Sequence, residues 1–372
     1  MNPSASPIDT AGVPNAVTPR ANRWKTKRTW VSVVTGLLIV GGGVAAYAFR
    51  PQARVQVAPT PVAAAAQTVA PTPTPRLSLL TGLAVEPGLA DRPITSVIIE
   101  NHPDARPQSG LAQAGIVYEA LAEGGITRFQ AFFQDQRPAV IGPVRSLRTY
   151  FVDWGLEYGA PVAHAGGNAD AMDLVGPLKM KDINALSFAS SGFYRTTDRV
   201  APHNLYTSSD KLDALMSRLG FAKPSTYVPG PRKPDSPTAT APHPNIHINY
   251  SYNGYQVDYA YDQSRNDYAR TLAGTPHVDR NGGAQIHVKN VVVLYVPTSY
   301  GYTRTQEQTV IMQTVGTGRA VVMRDGQAVT GTWSKASHAA RTVLTGDDGQ
   351  EIALNAGNTW FSVVPTGNVV SY

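Results

Sequence analysis

The apolar and polar positions divide the chain into an apolar N-terminal segment and a long body built of short periodic runs. Residues 30–49 form an uncharged, mostly apolar stretch of twenty residues. A helix of this length, at about 1.5 Å per residue, matches the roughly 30 Å hydrocarbon core of a bilayer. The pattern therefore predicts one transmembrane anchor at 30–49, preceded by a basic leader at 1–29.

The basic residues around this stretch predict its orientation. Five of them lie between Arg20 and Arg28, whereas only Arg50 and Arg54 follow closely. Because cytoplasmic flanks carry the excess of Lys and Arg, the N-terminus is predicted to be cytoplasmic and the body extracytoplasmic. A cleaved signal peptide stays open as an alternative, since Ala46-Tyr47-Ala48 has the small-x-small form of a cleavage site.

Two proline-rich tracts set the predicted domain boundaries. Residues 50–75 are rich in Pro and Ala, which is typical of a stiff spacer between membrane and body. A second tract at 223–243 mixes prolines with polar residues and divides the body. We therefore expect a first domain at 76–222 and a second domain at 244–372.

The first domain mixes strand and helix patterns. Strands are predicted at 94–99, 115–121 and 160–165 and, from alternation, at 127–133, with a turn at Gly124-Gly125 between two of them. Helices are predicted at 143–158, opened by Pro143, at 168–175, capped by Asn168, and at 210–219. This order indicates a mixed α/β domain.

The second domain is predicted to be all-β. Short runs rich in β-branched residues alternate with Gly, Asn and Asp, and Asp325-Gly326 is a typical hairpin turn. A mostly antiparallel sandwich or small barrel is expected, so that the whole body has an α+β fold. Its tyrosines, together with Trp333 and Trp360, indicate either core residues or a surface that stacks on sugars.

Charge and cysteine content narrow the function classes. The first fifty residues hold six of the 32 basic residues and one of the 26 acidic ones, so the net charge of +6 belongs mainly to the leader and anchor. The body is nearly neutral and gives no basic stripe for nucleic acid. The chain has no cysteine, which excludes disulfides, thiolate metal sites and a lipid-modified Cys.

The densest polar cluster follows directly after the predicted strand at 94–99. In open α/β sheets, ligands collect beyond the carboxyl ends of strands, so these side chains are candidates for proton transfer, metal ligation or anion recognition. The alternative is a proline-stiffened loop whose polar groups satisfy one another. The candidates are Glu100, Asn101, His102, Asp104, Arg106 and Ser109.

Two glutamates form a second candidate pair. If the strand continues through residue 123, alternation puts Glu119 and Glu123 on one face, where two carboxylates can divide acid and base roles. Pairing with Arg128 or Arg145 is the structural alternative.

Two arginines lie near the start of the helix predicted at 143–158. Cations at a helix N-terminus oppose its dipole, so Arg145 and Arg148 indicate either a bound anion or an acidic partner inside the protein.

A third cluster combines a histidine with a glycine turn. His164 ends the predicted strand at 160–165, and Gly166 and Gly167 follow it, which suits an anion or a reacting carbonyl but is no complete phosphate-binding fingerprint. His203 lies in a polar turn further along. His102, His164 and His203 with Glu100 or Asp104 are one possible metal set, but no metal is assigned.

The motifs closely resemble those of the YerB-like family over about residues 80–365. The resemblance implies a two-domain cell-surface protein, of a type described as a lipoprotein, without known function. This chain departs from the lipoprotein pattern because it lacks the acylated Cys, so attachment would depend on residues 30–49. The matching motifs are Glu100-Asn101-His102-Pro103, 105–111, 116–119, 124–129, 141–146 and 164–167 in the first half, and 276–279, 289–293, 333–335 and 357–360 in the second.

Three hypotheses follow for the body. The first is a binding module for a cell-envelope polymer or a membrane protein, using Glu100–Ser109, Arg145, Arg148 and His164. The second is a cell-wall hydrolase with Glu100, Glu119 or Glu123 and His102 or His164 in proton transfer. The third is a structural assembly factor. We favour the first because the sequence has no recognisable nucleophile or complete metal motif; no cofactor and no nucleic-acid partner are predicted.

Overall fold

The computed structural model describes residues 75–372, so the predicted leader, the anchor at 30–49 and nearly all of the spacer lie outside the described residues. Within 75–372, no helix combines the length and the apolar character needed to cross a membrane. The residues described belong to one compact unit.

The first half of this unit alternates strands with short helices. Its strands are β1 (Arg76–Leu77), β2 (Ala84–Val85), β3 (Thr95–Glu100), β4 (Ile116–Leu121), β5 (Thr127–Phe133), β6 (Val162–His164), β7 (Asp182–Asn184), β8 (Tyr194–Arg195), β9 (Leu205–Tyr206) and β10 (Arg232–Lys233). Its helices are α1 (Pro87–Ala90), α2 (Thr149–Glu157), α3 (Ala169–Val175), α4 (Ala185–Gly192) and α5 (Ser209–Leu219). Single 3-10 turns lie at Pro103–Ala105, Leu111–Gln113 and Glu123–Gly125.

The second half is formed almost entirely by strands. They are β11 (Asn245–Asn249), β12 (Gln256–Asp262), β13 (Asp267–Leu272), β14 (Thr275–Pro276), β15 (His287–Val288), β16 (Asn290–Val296), β17 (Thr298–Tyr302), β18 (Gln308–Met312), β19 (Gly316–Arg324), β20 (Gln327–Lys335), β21 (Val343–Gly346), β22 (Leu354–Asn355), β23 (Thr359–Pro365) and β24 (Val370–Ser371). One 3-10 turn lies at Asn253–Tyr255. The expected α+β architecture, with a mixed first domain and a β-rich second domain, is thus confirmed.

One ten-stranded mixed sheet runs through both halves. Its order is β21-β20-β19-β16-β23-β4-β5-β3-β6-β7. The two halves meet where β23 pairs in parallel with β4, with Thr359 opposite Ile116 and Phe361 opposite Tyr118. A smaller antiparallel sheet, β14-β13-β12-β11-β24, belongs to the second half alone. The domain boundary at 223–243 stays a prediction, but the main sheet takes strands from both sides of it.

Adjacent residues of β4 show how the layers pack, because successive side chains of a strand point to opposite faces. Tyr118 stacks on Trp154 of α2 at 4.5 Å between ring centroids and on Phe361 at 4.4 Å. Glu119 points the other way and meets Arg270 of the smaller sheet. The large sheet therefore lies between α2 on one face and the smaller sheet on the other.

The predicted cap of α3 and the predicted hairpin turn at Asp325-Gly326 are confirmed. Asn168 caps α3 by accepting a hydrogen bond from the Ala171 amide. Asp325 and Gly326 both have positive φ, as a two-residue hairpin turn between β19 and β20 requires.

The helix expected at 143–158 was wrong in its first six residues, since α2 begins only at Thr149. Residues before it are extended: the Glu100 amide donates to the Pro143 carbonyl, and the Arg145 amide donates to the Ile98 carbonyl. These bonds satisfy the backbone beside β3, so no helical turn is needed there. Arg145 is consequently outside a helix, and Arg148 is the N-cap residue of α2.

Candidate functional site

Strand direction brings most of the polar candidates to one edge of the large sheet. The pairings give β3, β4, β6, β7, β16 and β23 a common direction, so their carboxyl ends meet there. We call this the strand-end edge. Glu100 ends β3, Glu123 follows β4, His164 ends β6, and the β17–β18 hairpin follows β16. Ligand sites of open sheets form at such edges.

Glu100 lies at the centre of one cluster at this edge. Its side chain is almost fully buried, and its two carboxylate oxygens have different partners. Oε1 accepts from Nε of Arg145 at 2.8 Å, and Oε2 lies 3.0 Å from Nδ1 of His203. Since a carboxylate only accepts here, Nδ1 of His203 carries the hydrogen. Glu100 thus orients one cation and one imidazole.

His102 and Asp104 converge with His203 beside Glu100. The rings of His102 and His203 are stacked at 4.6 Å between centroids. Oδ2 of Asp104 lies 3.6 Å from Nδ1 of His102 and 4.0 Å from Nε2 of His203. We call His102, Asp104 and His203 the His-Asp-His cluster. Its ligand atoms lie within 4.8 Å of one another, so the cluster has the donor types and spacing for a metal ion.

A second group at the edge holds two arginines around Glu123. Arg148 binds the Glu123 carboxylate with two nitrogens, and Arg128 lies 3.8 Å from the same carboxylate. Burial raises the pKa of Glu123, but the Arg148 and Arg128 guanidiniums outweigh it and lower that pKa overall. Burial, followed by repulsion from Arg148, lowers the pKa of Arg128 to about 10. Two cations therefore share one carboxylate in a poorly solvated place.

An open cleft of 280 Å³ adjoins this group. Exposed Tyr300 and Tyr302 flank it on the β17–β18 hairpin, with relative exposures of 71% and 63%. Glu123, whose carboxylate is bound by Arg148 and lies near Arg128, also lines the cleft. The remaining lining residues are Gly124, Gly301, Gln308, Thr309 and Val310. The cleft thus offers aromatic faces beside the Glu123 carboxylate, which the arginines bind from behind.

His164 is fully buried below the edge. Nδ1 lies 2.8 Å from the Gly166 carbonyl and Nε2 lies 2.7 Å from Oδ1 of Asp182. The Gly166 amide donates to Asn184, and Gly167 forms a backbone bridge with Leu147. The predicted glycine turn is therefore occupied by internal hydrogen bonds, and both nitrogens of His164 have partners inside the protein.

Glu119 belongs to a closed ring of hydrogen bonds between the large and the smaller sheet, which we call the buried circuit. Asn101 donates to Thr127, Thr127 donates to Glu119, and Arg270 donates to Glu119 at 2.6 Å. Arg270 also donates to Nδ1 of His277, whose Nε2 lies 2.9 Å from Gln108, and Gln108 donates back to Asn101. All six side chains are buried.

Burial and the neighbouring Arg270 hold the pKa of His277 well below its usual range, so the imidazole is neutral. A neutral ring can accept from Arg270 at one nitrogen and donate to Gln108 at the other, as the buried circuit requires. Arg270 also lies over the Trp360 ring at 4.3 Å, and Trp360 donates to Glu119 at 3.1 Å. The circuit is thus dry and fully paired.

The predicted site residues therefore separate into two sets. The strand-end edge brings together Glu100, His102, Asp104, Glu123, Arg128, Arg145, Arg148 and His203, while Asn101, Arg106, Ser109, Glu119, His164, Gly166 and Gly167 have internal partners. Arg106 donates to Asn101 and the Gly254 carbonyl, and the Ser109 backbone pairs with Gly142. Catalytic roles for Glu100, His102, Glu119, Glu123 and His164 stay predictions.

The expectation that Glu119 and Glu123 share one face of a strand was wrong. The strand β4 ends at Leu121, and Glu123 begins a 3-10 turn in which Gly124 and Gly125 both have positive φ. Glu119 therefore faces the smaller sheet, whereas Glu123 reaches Arg148.

Sequence reasoning missed several residues of these clusters. Tyr300 and Tyr302 flank the cleft, and their Tyr-Gly-Tyr alternation was the available signal. Arg270 and His277 complete the buried circuit from the second half. Arg199 donates to the Ala105 and Pro107 carbonyls and so fixes the loop that carries His102 and Asp104.

The comparisons with known proteins agree across both halves. Residues 80–222 match the model described as "Protein of unknown function (DUF3048) N-terminal domain", and residues 246–361 match its C-terminal domain. A Bacillus subtilis (strain 168) protein with the name "Putative lipoprotein YerB" is 31% identical over 293 residues, which cover 77% of this chain and 85% of that protein. The crystal structure of the YerB protein from Bacillus subtilis superposes with a TM-score of 0.72 at 30% identity, covering 80% of this chain and 100% of that one.

Proposed function

This chain belongs to the YerB-like DUF3048 family, which is described as being of unknown function. We propose that it is a membrane-anchored extracytoplasmic protein that binds an anionic polymer of the cell envelope. The proposed binding surface is the strand-end edge from Arg145 to the cleft between Glu123 and Tyr302.

The observation that carries this proposal is the hydrogen bonding of the Arg145 guanidinium. Its Nε is bound to Glu100, and its side chain is 28% exposed. Within residues 75–372 its two terminal nitrogens make no hydrogen bond. A guanidinium presents a planar pair of donors that fits a phosphate or carboxylate. Arg145 is therefore held in place by one nitrogen and offers the other two to a ligand.

Local charge supports an anionic ligand. Among residues 75–372, Arg128, Arg145 and Arg148 make their ion pairs with two carboxylates, Glu100 and Glu123. The lowered pKa of Arg128 reflects burial and then repulsion from Arg148. A bound phosphate or carboxylate would reduce this repulsion, and poor solvation would strengthen its attraction to the arginines.

The cleft supports a polymeric ligand. Tyr300 and Tyr302 expose aromatic rings within one hairpin, and exposed tyrosines beside a polar wall are typical of binding surfaces. A sugar polymer with charged substituents could place its rings on the tyrosines and its anionic groups near the arginines.

The anchor is part of the proposal. Residues 30–49 are apolar and follow a basic leader, and the relative YerB is named as a lipoprotein although this chain has no cysteine to acylate. A single span with a cytoplasmic N-terminus would hold the body at the outer surface, on a Pro- and Ala-rich spacer.

A retention assay tests the ligand. The full chain in detergent micelles is mixed with sedimented cell wall, either complete or stripped of its anionic polymers. We expect retention on complete wall, weakening with salt, and about a tenfold loss of affinity in Arg145→Gln. The matched control is Arg265→Gln, which removes the same charge from the β12–β13 turn and should bind like the wild type.

Equal retention of Arg145→Gln and Arg265→Gln would contradict the proposal, as would a wild-type chain that ignores complete wall. Mass spectrometry of the supernatant separates the alternatives. New soluble fragments would favour a wall hydrolase, whereas co-purification of a membrane protein without wall binding would favour an assembly role.

A further inference from the structure

We propose that the His-Asp-His cluster, His102, Asp104 and His203, binds a divalent transition-metal ion of the zinc type. The inference does not depend on the proposed polymer ligand, because it concerns three other side chains and a different class of ligand.

The ligand atoms of the cluster face one another. Nδ1 of His203 lies against Glu100, so Nε2 is the ring nitrogen turned toward Asp104, 4.0 Å from its Oδ2. Nδ1 of His102 lies 3.6 Å from the same oxygen and accepts the Asp104 amide at 3.2 Å, a hydrogen bond that a metal ion would replace. Two imidazole nitrogens and one carboxylate oxygen thus lie within 4.8 Å of one another, so one divalent cation between them could be bound by all three.

A buried carboxylate, Glu100, lies behind the His203 ring. Histidines that ligate metals usually donate their other ring nitrogen to a carboxylate, which fixes the ring and makes it more basic. Glu100 has this role geometrically: it is nearly fully buried, its position is fixed by Arg145, and Oε2 lies 3.0 Å from Nδ1. The stacked ring of His102 then lies beside a ring whose orientation is already set.

The cluster is open to solvent, and its ligand atoms lie close to the spacing that a metal ion needs. Side-chain exposures are 34% for His102, 71% for Asp104 and 13% for His203, so an ion can enter from solvent. Zinc ligands lie about 2.0–2.2 Å from the ion, so the donors need to approach by roughly 1 Å. Asp104 is exposed enough to make that movement. Three protein ligands would leave at least one position open for water or a ligand.

The donor set also selects the metal. Imidazole nitrogens with one carboxylate suit zinc, copper, nickel and ferrous iron, whereas magnesium and calcium prefer oxygen ligands. We therefore expect zinc and cobalt to bind, and a large excess of magnesium to leave them bound.

A zinc titration tests the site. The full chain in detergent micelles is stripped with a chelator, dialysed, and titrated with zinc chloride at pH 7.5 against a chromophoric competitor. We expect one zinc per chain, with affinity reduced at least tenfold in Asp104→Asn and in His102→Gln. The wild type loaded with cobalt chloride should show visible absorption bands that Asp104→Asn lacks.

Two further variants complete the design. Glu100→Gln should weaken zinc binding by about 10- to 100-fold, since it removes the partner of His203 rather than a ligand. His247→Gln is the matched control: His247 pairs with Asp258 alone on the smaller sheet, 2.6 Å from it, and should bind zinc like the wild type.

Two results would overturn the inference. One is equal zinc affinity in the wild type, Asp104→Asn and His102→Gln, which would place any bound ion elsewhere. The other is no zinc or cobalt binding by a folded wild-type chain. Asp104 and His102 lie at the surface, so their variants should fold, and circular dichroism verifies it.

Discussion

At the scale of single residues, the Glu119 carboxylate and the Arg270 guanidinium form an ion pair in which both side chains are fully buried. Glu119 was recognised as a candidate carboxylate, and Arg128 and Arg145 were considered as its partners. The actual partner, Arg270, lies 151 positions further along the chain. One sequence holds no information on such a pairing until the topology is known, because β13 meets β4 only through packing of one sheet on another.

The ion pair between Glu119 and Arg270 makes a direct prediction for stability. Glu119→Gln leaves the fully buried Arg270 charge without a counter-charge, so we expect the free energy of unfolding to fall by about 3–5 kcal/mol. Urea-induced unfolding of the full chain, followed by circular dichroism, measures it.

The control for this experiment is Asp258→Asn, in the exposed pair with His247, which should cost less than about 1 kcal/mol. A Glu119→Gln variant as stable as this control would show that the buried charge is compensated by other groups.

Among the helices and strands, periodic segments were predicted best. The alternation at 127–133 and the β-branched run at 94–99 correspond to β5 and β3, displaced by at most one residue. The failure at 143–148 has a different origin. Pro143 is equally suited to open a helix or to lie in an extended segment. The extended form is the one observed, because it allows hydrogen bonds between residues 143–145 and the backbone of β3.

The β17–β18 hairpin illustrates the same limit for the site. Aromatic residues of the second domain were expected mainly in the core, and Trp333 and Trp360 are indeed buried. Tyr300 and Tyr302 are exposed on the β17–β18 hairpin, which within residues 75–372 forms a two-stranded sheet of its own, apart from the large and the smaller sheet. Neighbouring strands, rather than the residue type, determine which tyrosines reach solvent.

This hairpin allows a prediction that separates binding from folding. Tyr302→Ser should weaken retention on complete cell wall about tenfold, through loss of a stacking face, and should change the free energy of unfolding by less than about 0.5 kcal/mol.

Ile311→Ser provides the comparison, because Ile311 is exposed on the same hairpin but does not line the cleft. If both variants lose retention to the same degree, the hairpin contributes only through general hydrophobicity.

At the scale of the whole molecule, the strand and helix patterns were enough to predict the α+β architecture. The change from mixed α/β to all-β patterns was visible in the sequence, and the two matched family domains cover both halves. The shared ten-stranded sheet was not foreseeable, because the parallel contact between β4 and β23 joins segments more than two hundred residues apart.

The proposed topology predicts where the C-terminus lies. A reporter enzyme that is active only after export, fused behind Tyr372, should be active in cells, since the basic leader keeps the N-terminus inside. The same fusion without residues 30–49 is the control and should be silent.

Activity of a complementary reporter that functions only in the cytoplasm would contradict the topology. Release of a shortened chain into the medium would instead identify cleavage after Ala48 rather than retention.

The buried circuit has a consequence for how such proteins can evolve. Glu119 and Thr127 come from one half, and Arg270 and His277 from the other. Recombination that exchanged either half for an unrelated domain would leave the Glu119 carboxylate or the Arg270 guanidinium buried without its ion-pair partner. We therefore expect the two halves to be inherited together and not to recombine separately with other domains.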